Sequence, residues 1–504
     1  MPIAAALRKS RWAEILLLGL LSLFFFQLLT AFIAAVYAFG LMGLNIPPEI
    51  ACVLFLFAPL LLVFARRAPR GGWLAGLGAV MLACRVVEPL LPTRERMLVC
   101  GLGTGAGLLA FAGLLAGGED ARPDELSLGQ GLALGVGLAA LLRAAGGGLD
   151  LSTMGMFQGI GWALAVLAAS LLLSRVAGGG SAAPSTGQPA GRPGSFWKAA
   201  GLSVGLGGGI TLLYFAFTAP NVMARWMGSS AVLVFALAAL ALFGFAWLAA
   251  SPDRLIWALR PQFLGPANAV FVLALALALR LQQVSYPAGP AGYPVYGPAG
   301  LGWQVLLLAL AVLLFPVILL DFMLYTREIR CLSLTPRRAG ASFSLAALFL
   351  LVLIFAQVFT TVYDYIPVVG PFFRDRFWLV FLAAGLGLAL PLALVSGRQA
   401  APHFQTASPA RFLPSFLAAA GLASTAFAAL ASLPPAPAPS AETRLRVLTY
   451  NIQQGYSADG QKNYLGQLRV MRAADADIIG LQETDTSRIA GGNDDLVGFL
   501  ASQL

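Results

Sequence analysis

Apolar residues in this 504-residue chain fall into thirteen runs, each close to the length that spans a bilayer. They centre near 15–41, 48–65, 72–91, 97–117, 127–145, 157–175, 198–218, 229–250, 265–283, 300–325, 341–362, 376–396 and 411–432. About 20 apolar residues in a helix match a hydrocarbon core roughly 30 Å thick. Inside that core every backbone polar group must be bonded within the chain, so each run is expected to be a helix. With 59% of residues hydrophobic and 11% charged, the chain carries more apolar side chain than a soluble fold of this size can cover. Residues 1–432 therefore predict an α-helical multi-spanning membrane domain of about 13 transmembrane helices. Arg8, Lys9 and Arg11 precede the first run, which is too long for a cleaved signal core and reads as a retained helix.

Charge placement sets the expected orientation. With the N-terminus inside, the inner loops hold eighteen Lys and Arg and the outer loops and helix ends seven. That bias fits a cytoplasmic N-terminus in a plasma (inner) membrane. The loop 118–126 (GEDARPDEL) is acidic and also falls inside, but acids carry little weight in that rule. The net charge of +10 thus reports topology, and the arginines form no single stripe for nucleic acid. Thirteen crossings put everything after the last run outside, or periplasmic. A Gly/Pro/Ser-rich inner loop at 178–196 separates six runs from seven, and a Pro-rich linker at 433–443 leads to a tail at 444–504. Tyrosines in 285–300 read either as interface anchors or as aromatics that contact a ligand or the tail. Gly131 and Gly135, like Gly201, Gly205 and Gly209, recur every four residues and predict close helix contacts. The run 101–107 (GLGTGAG) lies inside an apolar segment, and Cys52, Cys84, Cys100 and Cys331 lack metal-ligand spacing, so neither predicts a ligand site.

Ionisable groups within the runs are costly and call for a functional hypothesis. Arg85 and Glu88 stand three apart on one helix face and can pair. Glu88, Arg280, Gln304, Gln357, Asp364 and Asp375 all fall toward outer ends, where they can line an outward cavity for a lipid headgroup. Arg85, Glu88 and Arg280 are the substrate-binding candidates, with Arg94, Arg96 and Arg143 also available for phosphate. The plainer reading makes most of them helix-end residues whose side chains reach the interface. Asp321 reads as interfacial.

The tail changes period. Residues 445–452 and 477–481 read as strands, and Leu465, Leu468 and Met471 share helical spacing between them. Strand, helix, strand favours a parallel pair. Parallel strands end at one edge, so Asn451 can meet Gln482 and Glu483. An amide and a carboxylate there suit Mg²⁺ or Mn²⁺, which keep waters and substrate phosphate as further ligands. Two strands and one helix are too small a core to stand alone.

The segments TYNIQQGY (449–456) and DADIIGLQETD (475–485) resemble the opening of the endonuclease/exonuclease/phosphatase superfamily, the DNase I-like phosphodiesterases. They are closer to its multi-spanning branch, the GPI-anchor lipid-remodelling proteins. Asn451, Gln454, Gly455, Gly460, Asn463, Gln467, Asp477, Gln482, Glu483, Asp485, Arg488 and the run 490–493 (AGGN) carry the likeness. The resemblance implies that 444–504 is the first β-α-β part of an α/β-sandwich domain, with Glu483 as metal ligand and Asn451 orienting metal or phosphate. Both are catalytic candidates. It also implies a lipid-linked phosphodiester or glycolipid substrate at the outer face. The superfamily's catalytic histidine belongs to later motifs, and the one histidine here, His403, precedes the last run. The expectation is a chain that ends before those motifs and does not hydrolyse phosphodiesters by itself, its metal bound only in a completed domain. Two other functions compete: a lipid-handling or transport protein with a vestigial phosphodiesterase domain, and a tethered nuclease. The tail has no basic, aromatic-interleaved surface for the latter.

Overall fold

The computed structural model describes residues 11–41, 49–67, 69, 71–116, 125–178, 195–281, 284–285, 295–296, 302–358, 368–373, 376–395, 412–433, 444–484 and 487–504. The helices, in chain order, are α1 (Arg11–Leu41), α2 (Glu49–Leu56), α3 (Gly71–Val87), α4 (Thr93–Ala116), α5 (Glu125–Ala145), α6 (Gln158–Gly178) and α7 (Phe196–Leu212). Then come α8 (Pro220–Trp226), α9 (Ala231–Ala249), α10 (Pro252–Ala258), α11 (Pro261–Arg280), α12 (Trp303–Leu314), α13 (Val317–Cys331), α14 (Pro336–Val358), α15 (Val369–Phe373), α16 (Trp378–Ala389) and α17 (Phe412–Ala431). The short strands β1 (Val284–Ser285) and β2 (Val295–Tyr296) pair antiparallel. The tail holds β3 (Val447–Asn451), α18 (Tyr464–Ala474), β4 (Ile478–Gln482) and α19 (Leu496–Gln503).

Among the described residues, eleven helical stretches are long and apolar enough to cross a membrane. The other two expected runs are apolar but broken. The segment 48–65 forms α2 and then a 3₁₀ turn over Ala58–Phe64, with Pro59 in its first turn. The segment 376–396 forms α16 and passes into 3₁₀ geometry at Leu390–Leu394, beside Pro391. Proline removes a backbone donor and crowds the preceding turn, which is why both helices stop short. The run near 300–325 extends to Cys331 as two helices meeting at Pro316.

Helix α1 is apolar on all sides and is accordingly enclosed, from Ile15 to Phe39, by α3, α4, α5 and α6. Its contact with α5 depends on small residues. A Cβ at Gly135 would lie 2.8 Å from the Gly19 carbonyl oxygen, so the two backbones touch there. Gly205 likewise gives way to the Tyr325 ring. The four-residue glycine spacing thus falls at close helix contacts.

The two ends of the bundle differ. At the end where α1 begins, Arg175 pairs with Glu14 (2.9 Å), Lys198 with Glu328 (2.8 Å) and Arg330 with Glu125 (2.8 Å). At the opposite end, where α1 finishes, the tail is seated. Strands β3 and β4 are parallel, with Val447 opposite Ile478 and Asn451 opposite Gln482. Ile452, Leu468, Met471, Leu496, Phe499 and Leu500 pack together under the sheet, and Leu149 of the membrane domain completes that core.

Candidate functional site

The parallel pairing brings the two predicted residues together. Asn451 Nδ2 donates to Glu483 Oε1 at 2.8 Å, and both side chains are exposed at the sheet edge. Beyond β3 the chain reverses through Gln453, Gln454 and Gly455, all at positive φ, and Glu483 itself has φ 51°. Left-handed backbone at bulky residues is uncommon and has to be held by its surroundings. Here the Gln454 N–H donates to the Glu483 carbonyl (2.7 Å) and Ile452 N–H to that of Gln482 (3.1 Å). The Glu483 carboxylate is therefore fixed at both its backbone and its side chain. Asn451 Oδ1 accepts the Gln453 N–H at 2.9 Å, so the amide acts as a positioning partner of Glu483. One carboxylate fits an ion that takes its remaining ligands from water and substrate phosphate. Among the described residues no three His, Cys, Asp or Glu side chains gather into a metal cluster. The turn that follows β3 reaches the membrane domain, where Gln454 Nε2 donates to the Tyr37 hydroxyl at 3.3 Å.

The deeper contact is made by residues 487–494. Arg143 Nη1 meets Asp494 Oδ1 at 3.1 Å, and its Nη2 donates to the Gly492 carbonyl at 3.0 Å. Asn493 donates to the Tyr214 carbonyl (2.8 Å), and its own carbonyl accepts from Asn221 (3.0 Å). Arg488 donates to the Gln357 carbonyl and Trp226 to that of Ser487. Ser487 and Asn493 are 0% and 1% exposed, so this polar loop is sunk into the bundle end. Lys462 Nζ caps the Gly491 carbonyl at 2.7 Å. The Tyr464 hydroxyl donates to Asp494, and burial, then the Asp494 charge, push the phenol well above its ordinary range. On the rim, Thr93 donates to the Asp459 carbonyl (2.9 Å), and the Ser457 hydroxyl holds the Asp459 carboxyl below its usual range.

Beneath the tail lies a buried network of the membrane domain. Arg85 is 1% exposed; its Nε donates to Gln27 (2.6 Å) and its Nη2 to the Ser152 carbonyl (3.0 Å). Gln27 donates in turn to Asp150 (2.8 Å). The expected Arg85–Glu88 pair is present at 3.7 Å, and Glu88 is also approached by Arg96 at 3.5 Å. A cavity of about 360 Å³ separates network and tail, walled by Gln27, Glu88, Arg96, Arg143, Asp150 and Lys462 among others. That volume lies in the range of small-ligand sites.

Arg85 is enclosed and ties α3 to α1 and to the α5–α6 connection, so it sits behind the cavity wall. Arg280 is exposed at the end of α11 and takes no part in the cavity, and neither does Arg94. Arg143 is bonded to the tail. Gln304 donates to the Leu281 carbonyl. Asp321 is fully buried, contrary to an interfacial placement. Asp364, Asp375, His403 and Asp485 lie outside the described residues. Gln27 and Asp150 were not singled out by sequence, although the lone glutamine in the first apolar run was a signal for Gln27; Asn493 entered only within the run 490–493 that carries the family likeness.

No protein-family model matches the chain, and no curated protein matches it.

Proposed function

We propose that this chain is a membrane-anchored protein of the metal-dependent phosphodiesterase type, which engages a lipid-linked phosphate or glycolipid where its tail meets the bilayer surface. The observation that carries this reading is the Asn451–Glu483 hydrogen bond, at a sheet edge whose next turn touches Tyr37 of the membrane domain. A divalent ion held by Glu483 would polarise a phosphoryl oxygen. The chain's own contribution is to hold that carboxylate rigid through Asn451 and Gln454 and to present it to the membrane. Arg96 and Lys462 on the cavity wall would offer cations to a headgroup phosphate that enters the cavity. In-line hydrolysis also needs a positioned acid or base, and the tail sequence contains no histidine for it.

Thirteen crossings are part of the same reading. That both α1 and α3 finish on the tail side supports a further crossing between them at α2 and its 3₁₀ turn. The same logic applies to α16 between α14 and α17. The excess of inner Lys and Arg supports an external tail.

The test is Mn²⁺ binding to the full chain in lipid nanodiscs, followed by electron paramagnetic resonance. Glu483→Ala is expected to abolish site binding, and Asn451→Ala to weaken it roughly 10–100-fold, as for loss of a ligand's supporting hydrogen bond. Wild-type affinity in Glu483→Ala would end this reading. A second reading, lipid handling by the membrane domain itself, rests on the cavity walls, most of which that domain supplies. It predicts that lipid binding survives Glu483→Ala and fails in Arg96→Gln.

A further inference from the structure

We propose that Asp321 and Asn268 form a proton-binding site inside the membrane domain, with the proton carried on Asp321 and shared with the asparagine. Asp321 lies on α13, and Asn268 faces it from α11; they are 0% and 1% exposed. Asn268 Nδ2 donates to Asp321 Oδ1 at 3.2 Å and to the Leu264 carbonyl at 3.1 Å. Two atoms of this pair are left buried without a partner, Asp321 Oδ2 and Asn268 Oδ1, and both are acceptors. One proton on Oδ2 satisfies both, because the acid O–H then donates to the amide oxygen while the amide N–H donates back. An ionised Asp321 would leave both oxygens unmatched and a bare charge in apolar surroundings, which is the costlier state.

Among the described residues, no cation faces Asp321 from the helices packed around it. On α7 the charged group is Lys198, engaged by Glu328; on α5 it is Glu125, engaged by Arg330, and Arg143 at the tail end. The charged residues of α11 and α4 are Arg280, Arg94, Glu95 and Arg96, all at the tail end of the bundle. On α13 itself, Arg327, Glu328 and Arg330 lie toward the opposite surface. Asp321, Tyr325 and Glu328 follow one another at spacings of four and three, so they share a helix face, and all three are buried. At 1.5 Å per residue, Asp321 is about 10 Å deeper than Glu328. Tyr325 stands between the acid and the Lys198–Glu328 pair on this face, with its hydroxyl donating to the Leu388 carbonyl at 2.6 Å. Release would leave an uncompensated carboxylate between α11 and α13, so proton occupancy is tied to how those helices pack. The membrane domain is on this view proton-linked, a property independent of the tail's phosphate site.

Infrared spectroscopy of the full chain in lipid vesicles tests the site. At neutral pH the wild type is expected to show the C=O stretch of an un-ionised carboxyl, lost in Asp321→Asn and kept in Glu88→Gln. Asn268→Leu removes the amide donor and is expected to move the band to higher wavenumber. Absence of the band in the wild type, or its persistence in Asp321→Asn, would overturn the proposal. Should Asp321→Asn not assemble, the Asn268→Leu spectrum decides, and an unmoved band there counts against it.

Discussion

Arg143 joins the two parts of the molecule through three contacts. Its guanidinium, 5% exposed, faces one carboxylate and two carbonyls of the tail, a fork that lysine's point charge cannot reproduce. Removing one partner of a buried pair strands the other, at a cost of about 3 kcal/mol. Arg143→Ala is therefore expected to loosen the tail by that order, Arg143→Lys by less, and Arg143→Ala with Asp494→Asn to recover part of the loss. Protease sensitivity of the tail in detergent-solubilised protein, compared across the three, measures it. A tail as protected in Arg143→Ala as in the wild type would refute this role. Residues of this kind leave little trace in sequence, because Arg143 and Asp494 are 351 positions apart and neither belongs to a periodic pattern.

Helix α18 shows what a single element adds. Two of its three predicted core residues, Leu468 and Met471, are buried at 3% and 1%, whereas Leu465 is 50% exposed and borders the cavity. Its first residue, Tyr464, is held neutral beside Asp494. The raised phenol means that docking is intact below the ordinary tyrosine value near 10 and weakens as pH climbs through the higher folded value. Digestion by an alkali-active protease is expected to accelerate over that climb in the wild type, and Tyr464→Phe should lack the step. Strand–helix–strand was legible because the hydrophobic period changes from two to 3.6 and back. The segments that form α2 and α16 were legible as apolar runs, but their breaks were carried by Pro59 and Pro391, which hydropathy alone ignores. The loop 487–494 was legible only as part of a family likeness. Glycine, alanine and polar residues without a period give no burial signal, and its depth comes from partners contributed by distant helices.

At the scale of the whole molecule, the tail and the ion-paired end lie on opposite faces of the bundle. Cys331 is exposed at the ion-paired end, while the other three cysteines are buried. An impermeant thiol reagent is expected to reach Cys331 from one side of sealed vesicles, and a cysteine placed at Ala501 on α19 only from the other. Labelling of both from the same side would dismiss the two-faced arrangement.

The sunken loop 487–494, with the tail residues around it, also orders events during synthesis. It and its neighbours touch α1, the end of α5, the α7–α8 corner and the end of α14, segments made early, midway and late in the chain. None of these surfaces exists as a unit until the helices carrying them have assembled. The tail core, which borrows Leu149, cannot close before then either. Emerging after those helices, residues 444–504 would act as a latch that engages only a correctly built bundle. A misassembled membrane domain would leave it hanging open to proteases.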